Sequence, residues 1–307
     1  MPEPSSERHL PINPAHVARQ FARGAAVQPF IYAEVARRMA ERLELIKLSP
    51  RVIVDAGCGA GAALPLLHTR YPKAQIIGID HASRIAQARR TWPDAGLRAK
   101  LRTLTGGAQV QWQAGDFASA QPARTPVDLV WSNCALHWAA APHEVIKHWA
   151  TWLATGGLLM FSTFGPDTFK QVRAAAVQAG MQNSTLPFVD MHDFGDMMVA
   201  AGLATPVMDV EVLTLTYATP QALVDELRAL GGNAHGQRTA HLTGRARWQR
   251  FLDALAAQAG ADGRIALTIE IAYGHAWKPA PRPPAGMATV SLESLKDSLK
   301  SRGQAAP

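Results

Sequence analysis

The 307-residue chain has only two cysteines, Cys58 and Cys134, and they form no CxxC pair. That excludes a disulfide framework and a cysteine-rich zinc site, and it suits a reducing compartment. No apolar stretch is long enough to span a bilayer. The opening residues, MPEPSSERHLPINP, are polar and proline-rich and lack the apolar centre of a secretory signal. A cytoplasmic protein without a membrane partner or a bound metal is the expectation. The pattern GxxxxGK[ST] is missing, which removes P-loop chemistry. No internal repeat occurs.

Apolar residues make up 48% of the chain, enough for a sizeable core. The formal charge is +7, and much of the excess is local. Arg84, Arg89, Arg90, Arg98, Lys100 and Arg102 accompany a single acid, Asp94. A second group is Arg238, Arg245, Arg247 and Arg250. Such patches concentrate acidic partners, or they are simply solvated helix faces.

Apolar positions at helical spacing over 15–47 predict two helices broken near Gly24 to Pro29. Residues 1–48 therefore read as an N-terminal helical extension, able to act as a lid. From Val52 a strand and helix alternation begins, with strands at Val52 to Asp55, Gln75 to Asp80, Val110 to Gln113 and Val127 to Trp131. A helix over His143 to Leu153 should stop at Gly156-Gly157, before a strand at Leu158 to Thr163. Asp167 should open the next helix, and another should cover His192 to Ala201. The sixth strand is placed at Val207 to Leu215 and the seventh at Ile265 to His275. Between them, 219–263 reads as a helical insertion, two helices joined through Gly231 to Gly244. Short, strongly apolar strands alternating with helices predict an α/β fold with a parallel, doubly covered sheet. One domain is expected over 49–279, and the Pro/Ala-rich tail over 280–307 is expected to be flexible.

The stretch IVDAGCGAG, residues 53–61, raises the functional question. Gly57, Gly59 and Gly61 permit positive φ and close approach of a ligand. Ligands of open α/β sheets bind beyond the carboxyl ends of the strands, where strand order reverses. At those ends stand Asp55, Asp80, Asp116 and Asn133. Gly57-x-Gly59-x-x-Ala62 matches the dinucleotide pattern, with Asp80 at the right distance downstream for a ribose. Asp55 argues against NAD, because its carboxylate would repel the pyrophosphate at the helix N-terminus. A cationic nucleoside reverses that sign. S-adenosylmethionine (SAM) carries a sulfonium and an ammonium and has no phosphate. Asp55 then faces the positive end, Asp80 accepts from the ribose hydroxyls, Asp116 and Phe117 meet the adenine, and Asn133 sits near the methionine end. Cys58 reads as a small residue in a tight loop. Each acid alone also has a plain reading, Asp80 as a helix cap and Asp116 as a turn residue.

DAGCGAG, GID at 78–80, GDF at 115–117 and WSNCALHW at 131–138 resemble class I SAM-dependent methyltransferases. Further stretches are FARGAA (21–26), FSTFGPDTF (161–169), FVDMHDFGDMMVAAG (188–202), LTLTYA (213–218), LRALGGNAHGQR (227–238) and YGHAWKP (273–279). With these, the chain resembles the malonyl-[acyl-carrier-protein] O-methyltransferases of biotin synthesis over roughly 15–279. The resemblance implies a Rossmann-like seven-stranded sheet, mostly parallel with an antiparallel last strand. It implies a cofactor set of Asp55, Gly57, Cys58, Gly59, Gly61, Asp80, His81, Asp116, Phe117 and Asn133. It implies transfer of methyl to the free carboxylate of a malonyl group on acyl carrier protein. The family usually carries a tyrosine shortly after FxRAA, able to close over the cofactor. Here VQPF follows, so Phe30 or Tyr32 has to substitute.

A carboxylate acceptor is already ionised at neutral pH, so no general base is required. His137 is the one candidate base, and a wall residue or hydrogen-bond donor is its preferred role. Trp138 reads as pocket wall. Arg238 is favoured over Arg228 for holding the substrate carboxylate, and either basic cluster could dock an acidic carrier. Three other readings stay open: an RNA or DNA methyltransferase, a non-catalytic partner protein of the same fold, and a dehydrogenase. Nucleic acid is disfavoured, because Ser132-Asn133-Cys134-Ala135 is not the N/D-P-P-aromatic signature and no basic run is interleaved with aromatics.

Overall fold

Strands buried on both faces need helices above and below, and the chain provides them in sequence. A computed structural model describes residues 9–23, 29–97, 104, 109–238 and 243–281. The expected flexible tail from 282 onward and the basic residues Arg98, Lys100 and Arg102 lie outside the described residues.

Helices α1 (Pro14–Arg23) and α2 (Phe30–Glu44) precede the sheet. Then follow β1 (Val52–Ala56), α3 (Leu64–Arg70), β2 (Gln75–Asp80), α4 (Ala82–Thr91), β3 (Gln109–Ala114) and β4 (Val127–Asn133). A short 3₁₀ turn (Leu136–Trp138) leads to α5 (Pro142–Trp152) and β5 (Leu153–Phe164). The chain continues through α6 (Lys170–Gln178), α7 (Met191–Ala200) and β6 (Ala204–Tyr217). The insertion helices α8 (Pro220–Ala229) and α9 (Arg245–Ala256) come next, and β7 (Ile265–Trp277) closes the sheet.

The seven strands lie in the order β3-β2-β1-β4-β5-β7-β6. The β3 to β5 strands pair in parallel, and β7 runs antiparallel to both β5 and β6. Order reverses between β1 and β4, which opens a crevice at their carboxyl ends. Every residue of β1 is buried, as a central parallel strand requires. β6, the edge strand, has no fully buried residue and alternates half-buried with exposed positions over most of its length.

Two boundaries differ from expectation. Gly156-Gly157 does not stop α5. The helix already ends at Trp152, and Leu153 pairs with Val127 before the register shifts at Leu129. Gly156 (φ 77°) sits within the irregular start of β5, where its amide donates to the Lys278 carbonyl at 2.8 Å. Asp167 does not open α6. The turn before that helix is tied to β7, with the Phe169 amide donating to the Thr268 carbonyl at 2.8 Å and Phe169 at φ 63°.

The N-terminal extension is part of the core. Ile31, Val35, Met39 and Leu43 recur at four-residue spacing along one face of α2 and are fully buried. Arg38 pairs with Glu211, and Arg42 pairs with Asp209 at 2.6 Å while lying 3.8 Å over the Tyr273 ring. Ahead of α1, the chain is stitched to the insertion. Ile12 bridges His235, the Asn13 amide donates to Ala234 O at 3.0 Å, and the Gly236 amide donates to Pro11 O at 2.6 Å. Extension and insertion therefore form one cover over the crevice.

Candidate functional site

β1 delivers Asp55 to the crevice, and the loop after it turns on three glycines. Gly57, Gly59 and Gly61 have φ of 78°, 56° and 84°, a region that side chains disfavour. A Cβ on Gly57 would lie 2.4 Å from the Cβ of Ala135, so backbone is packed where a side chain has no room. The loop is held from β2: the Gly57 amide donates to the Ile79 carbonyl at 2.9 Å. Asp80 finishes the clasp, its Oδ2 accepting from the Gly59 amide at 2.7 Å and its Oδ1 from the His81 amide at 2.6 Å. Each of these oxygens keeps a further lone pair for a ligand.

These residues face a cavity of about 540 Å³. Asp55 lies in its wall, is 2% exposed, and its Oδ1 has no hydrogen-bond partner. Burial, with the Asp80 charge adding to it, pushes the Asp55 carboxyl up to about 8. Burial also raises Asp80, opposed by the two amides. A buried carboxylate without a partner is costly, and a cation or an N–H donor in the cavity relieves it. This chemistry fits a cationic nucleoside and does not fit a pyrophosphate.

Of the predicted cofactor residues, Asp55, Gly57, Cys58, Gly59, Asp80, His81, Phe117 and Asn133 line this cavity together. Gly61 and Asp116 are not in its wall. Gly61 lies beneath Trp112, whose Cη2 would be 2.9 Å from an added Cβ, so that glycine serves strand-to-loop packing. Asp116 is exposed, and its Oδ1 accepts from the Ala118 amide at 2.9 Å, the turn role of its residue type. Asn133 is held on both side-chain atoms: its Nδ2 donates to the Tyr32 carbonyl at 2.9 Å, and its Oδ1 accepts from Ser162 Oγ at 2.9 Å, leaving one N–H and one lone pair. Of Phe30 and Tyr32, Phe30 is 69% exposed and outside the wall, and Tyr32 lines the cavity.

Sequence reasoning missed Phe21 and the α4 wall. Phe21 stacks on His81 at 6.0 Å and meets Trp138 edge-on at 5.2 Å. Arg84, Gln87 and Thr91 line the cavity from one face of α4. Their helical spacing downstream of Asp80 was the available signal.

A second cavity, about 400 Å³, lies beside the first, and Trp138 and Leu230 belong to both walls. Phe164, Phe169, Phe188, Leu227 and Phe251 make it largely apolar. His137 lines it, stacked on Phe164 at 4.2 Å, and both ring nitrogens are buried without partners. Burial drives the His137 imidazolium down to about 3, so the ring is neutral and carries one N–H. Arg238 and Arg247 also line this cavity and make no ion pair among the described residues. Arg228, at the same wall, is paired with Asp225 at 2.8 Å.

The fold recurs in solved structures. A Bacillus subtilis protein, YcgJ, aligns over 80% of this chain and 99% of its own with a TM-score of 0.54 at 13% identity. A putative methyltransferase from Bacillus halodurans aligns over 80% and 100% with a TM-score of 0.54 at 16% identity. A family model described as a methyltransferase domain matches residues 29–205. The class is thus that of the SAM-dependent methyltransferases with a class I sheet. A malonyl-[acyl-carrier protein] O-methyltransferase from Laribacter hongkongensis is 42% identical over 88% of this chain and 91% of its own. One from Gallionella capsiferriformans is 39% identical over 90% and 93%, and one from Legionella pneumophila 35% over 86% and 88%. The chain belongs to the malonyl-[acyl-carrier protein] O-methyltransferase family.

Proposed function

We propose that the protein transfers a methyl group from SAM to the free carboxylate of a malonyl thioester carried by acyl carrier protein, the methyl esterification that starts pimeloyl synthesis for biotin. The observation that carries this reading is the pair of cavities with one shared wall. One holds an unpartnered carboxylate, Asp55; the other holds an unpartnered neutral imidazole, His137, with arginines beside it.

When bound, SAM supplies an electrophilic methyl group on a sulfonium. Asp55 balances the charge at that end, and Asp80 accepts from the ribose hydroxyls with its remaining lone pairs. The shared wall at Trp138 and Leu230 is where the two cavities face each other. A malonyl carboxylate in the second cavity leaves water and takes hydrogen bonds from Arg238 and from the His137 N–H. His137 is a poor proton acceptor in this setting, and an ionised acceptor needs none. Catalysis then rests on alignment and on exclusion of water by the aromatic walls.

Incubation with SAM and malonyl-acyl carrier protein tests the reading by intact mass. Gain of one methyl group, reversed by an esterase, is expected. Methylation of some other acid, with none on the malonyl thioester, would move the protein elsewhere among carboxyl methyltransferases. Arg238→Ala should raise KM for the malonyl substrate roughly tenfold while S-adenosylhomocysteine (SAH) still binds. Unchanged kinetics would take Arg238 out of the site.

The carrier's thioester must reach the second cavity, so the carrier docks at that cavity's mouth. Arg247 lines the cavity, and Arg245 and Arg250 stand exposed on the same helix, α9. In the other basic cluster, Arg84 and Arg90 line the cofactor cavity and Arg89 pairs with Asp94. The α9 face is therefore the better candidate for an acidic carrier.

A further inference from the structure

A chain of hydrogen bonds that methyl transfer does not use ties the cofactor cavity to the wall it shares with the second cavity. Tyr32 Oη donates to the Leu230 carbonyl at 2.7 Å, across 198 residues of sequence. The Tyr32 carbonyl accepts from Asn133 Nδ2, Asn133 Oδ1 accepts from Ser162 Oγ, and Ser162 Oγ accepts from the Cys134 amide at 3.0 Å. The chain thus runs from the end of α8, through α2, to the ends of β4 and β5. Tyr32 lines the cofactor cavity, and Leu230 lines both. Next to Leu230, a Cβ on Gly231 would lie 2.6 Å from Cζ2 of Trp138, so backbone rests directly on the ring that divides the cavities. The shared wall is therefore one object, and its single tie to the α2 side chain in the cofactor cavity is a hydroxyl.

We propose that Tyr32 is a positioning residue that couples the two cavities: a ligand packed against Tyr32 orders the Leu230–Gly231 wall and so prepares the second cavity for the acyl acceptor. The assignment of the acceptor rests on the function proposed above; the link between the cavities does not. Ordering done by the first ligand need not be repeated for the second, which is positive cooperativity, and by linkage it acts equally in both directions. Nothing covalent changes.

Two measurements on the full-length chain test this, using wild type and Tyr32→Phe. The variant keeps the ring beside Phe164 and removes only the hydroxyl. Thermal melts check that it folds. First, amide hydrogen exchange is followed with and without saturating SAH. The Gly232 amide, bonded to the Leu227 carbonyl, reports on the wall. SAH should slow its exchange about threefold or more in wild type and leave it unchanged in the variant. Second, binding of malonyl-pantetheine is titrated with and without saturating SAH. SAH should tighten it about fivefold in wild type, the worth of one neutral hydrogen bond, and not in Tyr32→Phe. Equal Gly232 protection in both proteins overturns the proposal, as does an equal tightening factor. If malonyl-pantetheine fails to bind while the difference in protection persists, the acceptor assignment falls and the coupling stands.

Discussion

The floor and the roof of the cofactor cavity are built by opposite means. The floor is local: Asp55, the glycine loop and Asp80 lie within 26 residues, and backbone amides fix them to one another. The roof is assembled from ends of the chain far apart in sequence, with Ile12 bridging His235 and Tyr32 bonded to Leu230. The floor keeps two buried carboxylates at a cost in stability, a sign that ligand chemistry governs it. The roof meets itself through a short backbone stitch, the Tyr32 hydroxyl and aromatic edges. Substitutions in the floor should therefore weaken binding most, whereas those in the roof should tune it.

The largest effect belongs to Gly57→Val. The site combines a φ of 78° with a contact of 2.4 Å from any Cβ to Ala135, and neither can relax without moving the loop. Binding of SAH should be undetectable by calorimetry, and the folded state should lose about 2–4 kcal/mol. SAH affinity within tenfold of wild type would show that the floor is not the rigid element described.

Why the floor was legible and the roof was not follows from the same contrast. A strand followed by alternate glycines fixes its own geometry, so Asp55, Gly57 and Asp80 could be placed without knowing any long-range contact. The succession of strands along the chain and the two helices α8 and α9 were legible for the same reason, through short-range periodicity, whereas the antiparallel last strand was implied by the family resemblance and not by any local pattern. Gly61 and Asp116 fall outside the cavity wall because sequence spacing does not say which side of a loop faces the cavity; Gly61 packs against Trp112, and Asp116 is engaged in a turn. Tyr32 and Phe21 were only partly visible, because their roles depend on Leu230 and Trp138, which no local pattern connects to them. Gly156-Gly157 misled for a related reason: β-sheet pairing with Val127 overrode a local stop signal.

A smaller effect comes from the charge in the floor. Unfolded, Asp55 loses its proton near pH 4; folded without ligand, it keeps that proton up to about 8. The folded state therefore binds more protons between these values. Stability contributed by this group is full below pH 4, falls as pH rises toward 8, and is flat above it. The loss is on the order of a few kcal/mol, and Asp80 adds to it in the same direction. Asp55→Asn cannot ionise, so its melting temperature without ligand should decline less between pH 5 and 9 than that of wild type. The same variant should bind SAH at least tenfold more weakly, because it no longer offers a charge to the ammonium. Parallel melting curves for the two proteins would remove Asp55 as the source of the pH dependence.

The smallest effect lies on the outer surface of the roof, where α9 begins with Arg245 and has no acid in its first turn. Cations at a helix N-terminus oppose the macrodipole, so local stability gives no reason for this choice. Arg245→Glu with Arg250→Glu separates the two influences. Helix electrostatics alone predicts a slight gain in stability, about 0.3–1 kcal/mol, from the residue in the first turn. Docking of an acidic carrier predicts a loss: KM for malonyl-acyl carrier protein should rise about three- to tenfold, and KM for malonyl-pantetheine should stay the same. Raising the salt should lower wild-type activity on the carrier substrate toward that of the variant, since exposed charges are screened. Equal KM values for both substrates in the variant and wild type, at any salt, would show that the roof's basic face is solvated rather than docked. The floor would then account for ligand recognition through its buried carboxylates, and the carrier would have to approach by another surface of the cover.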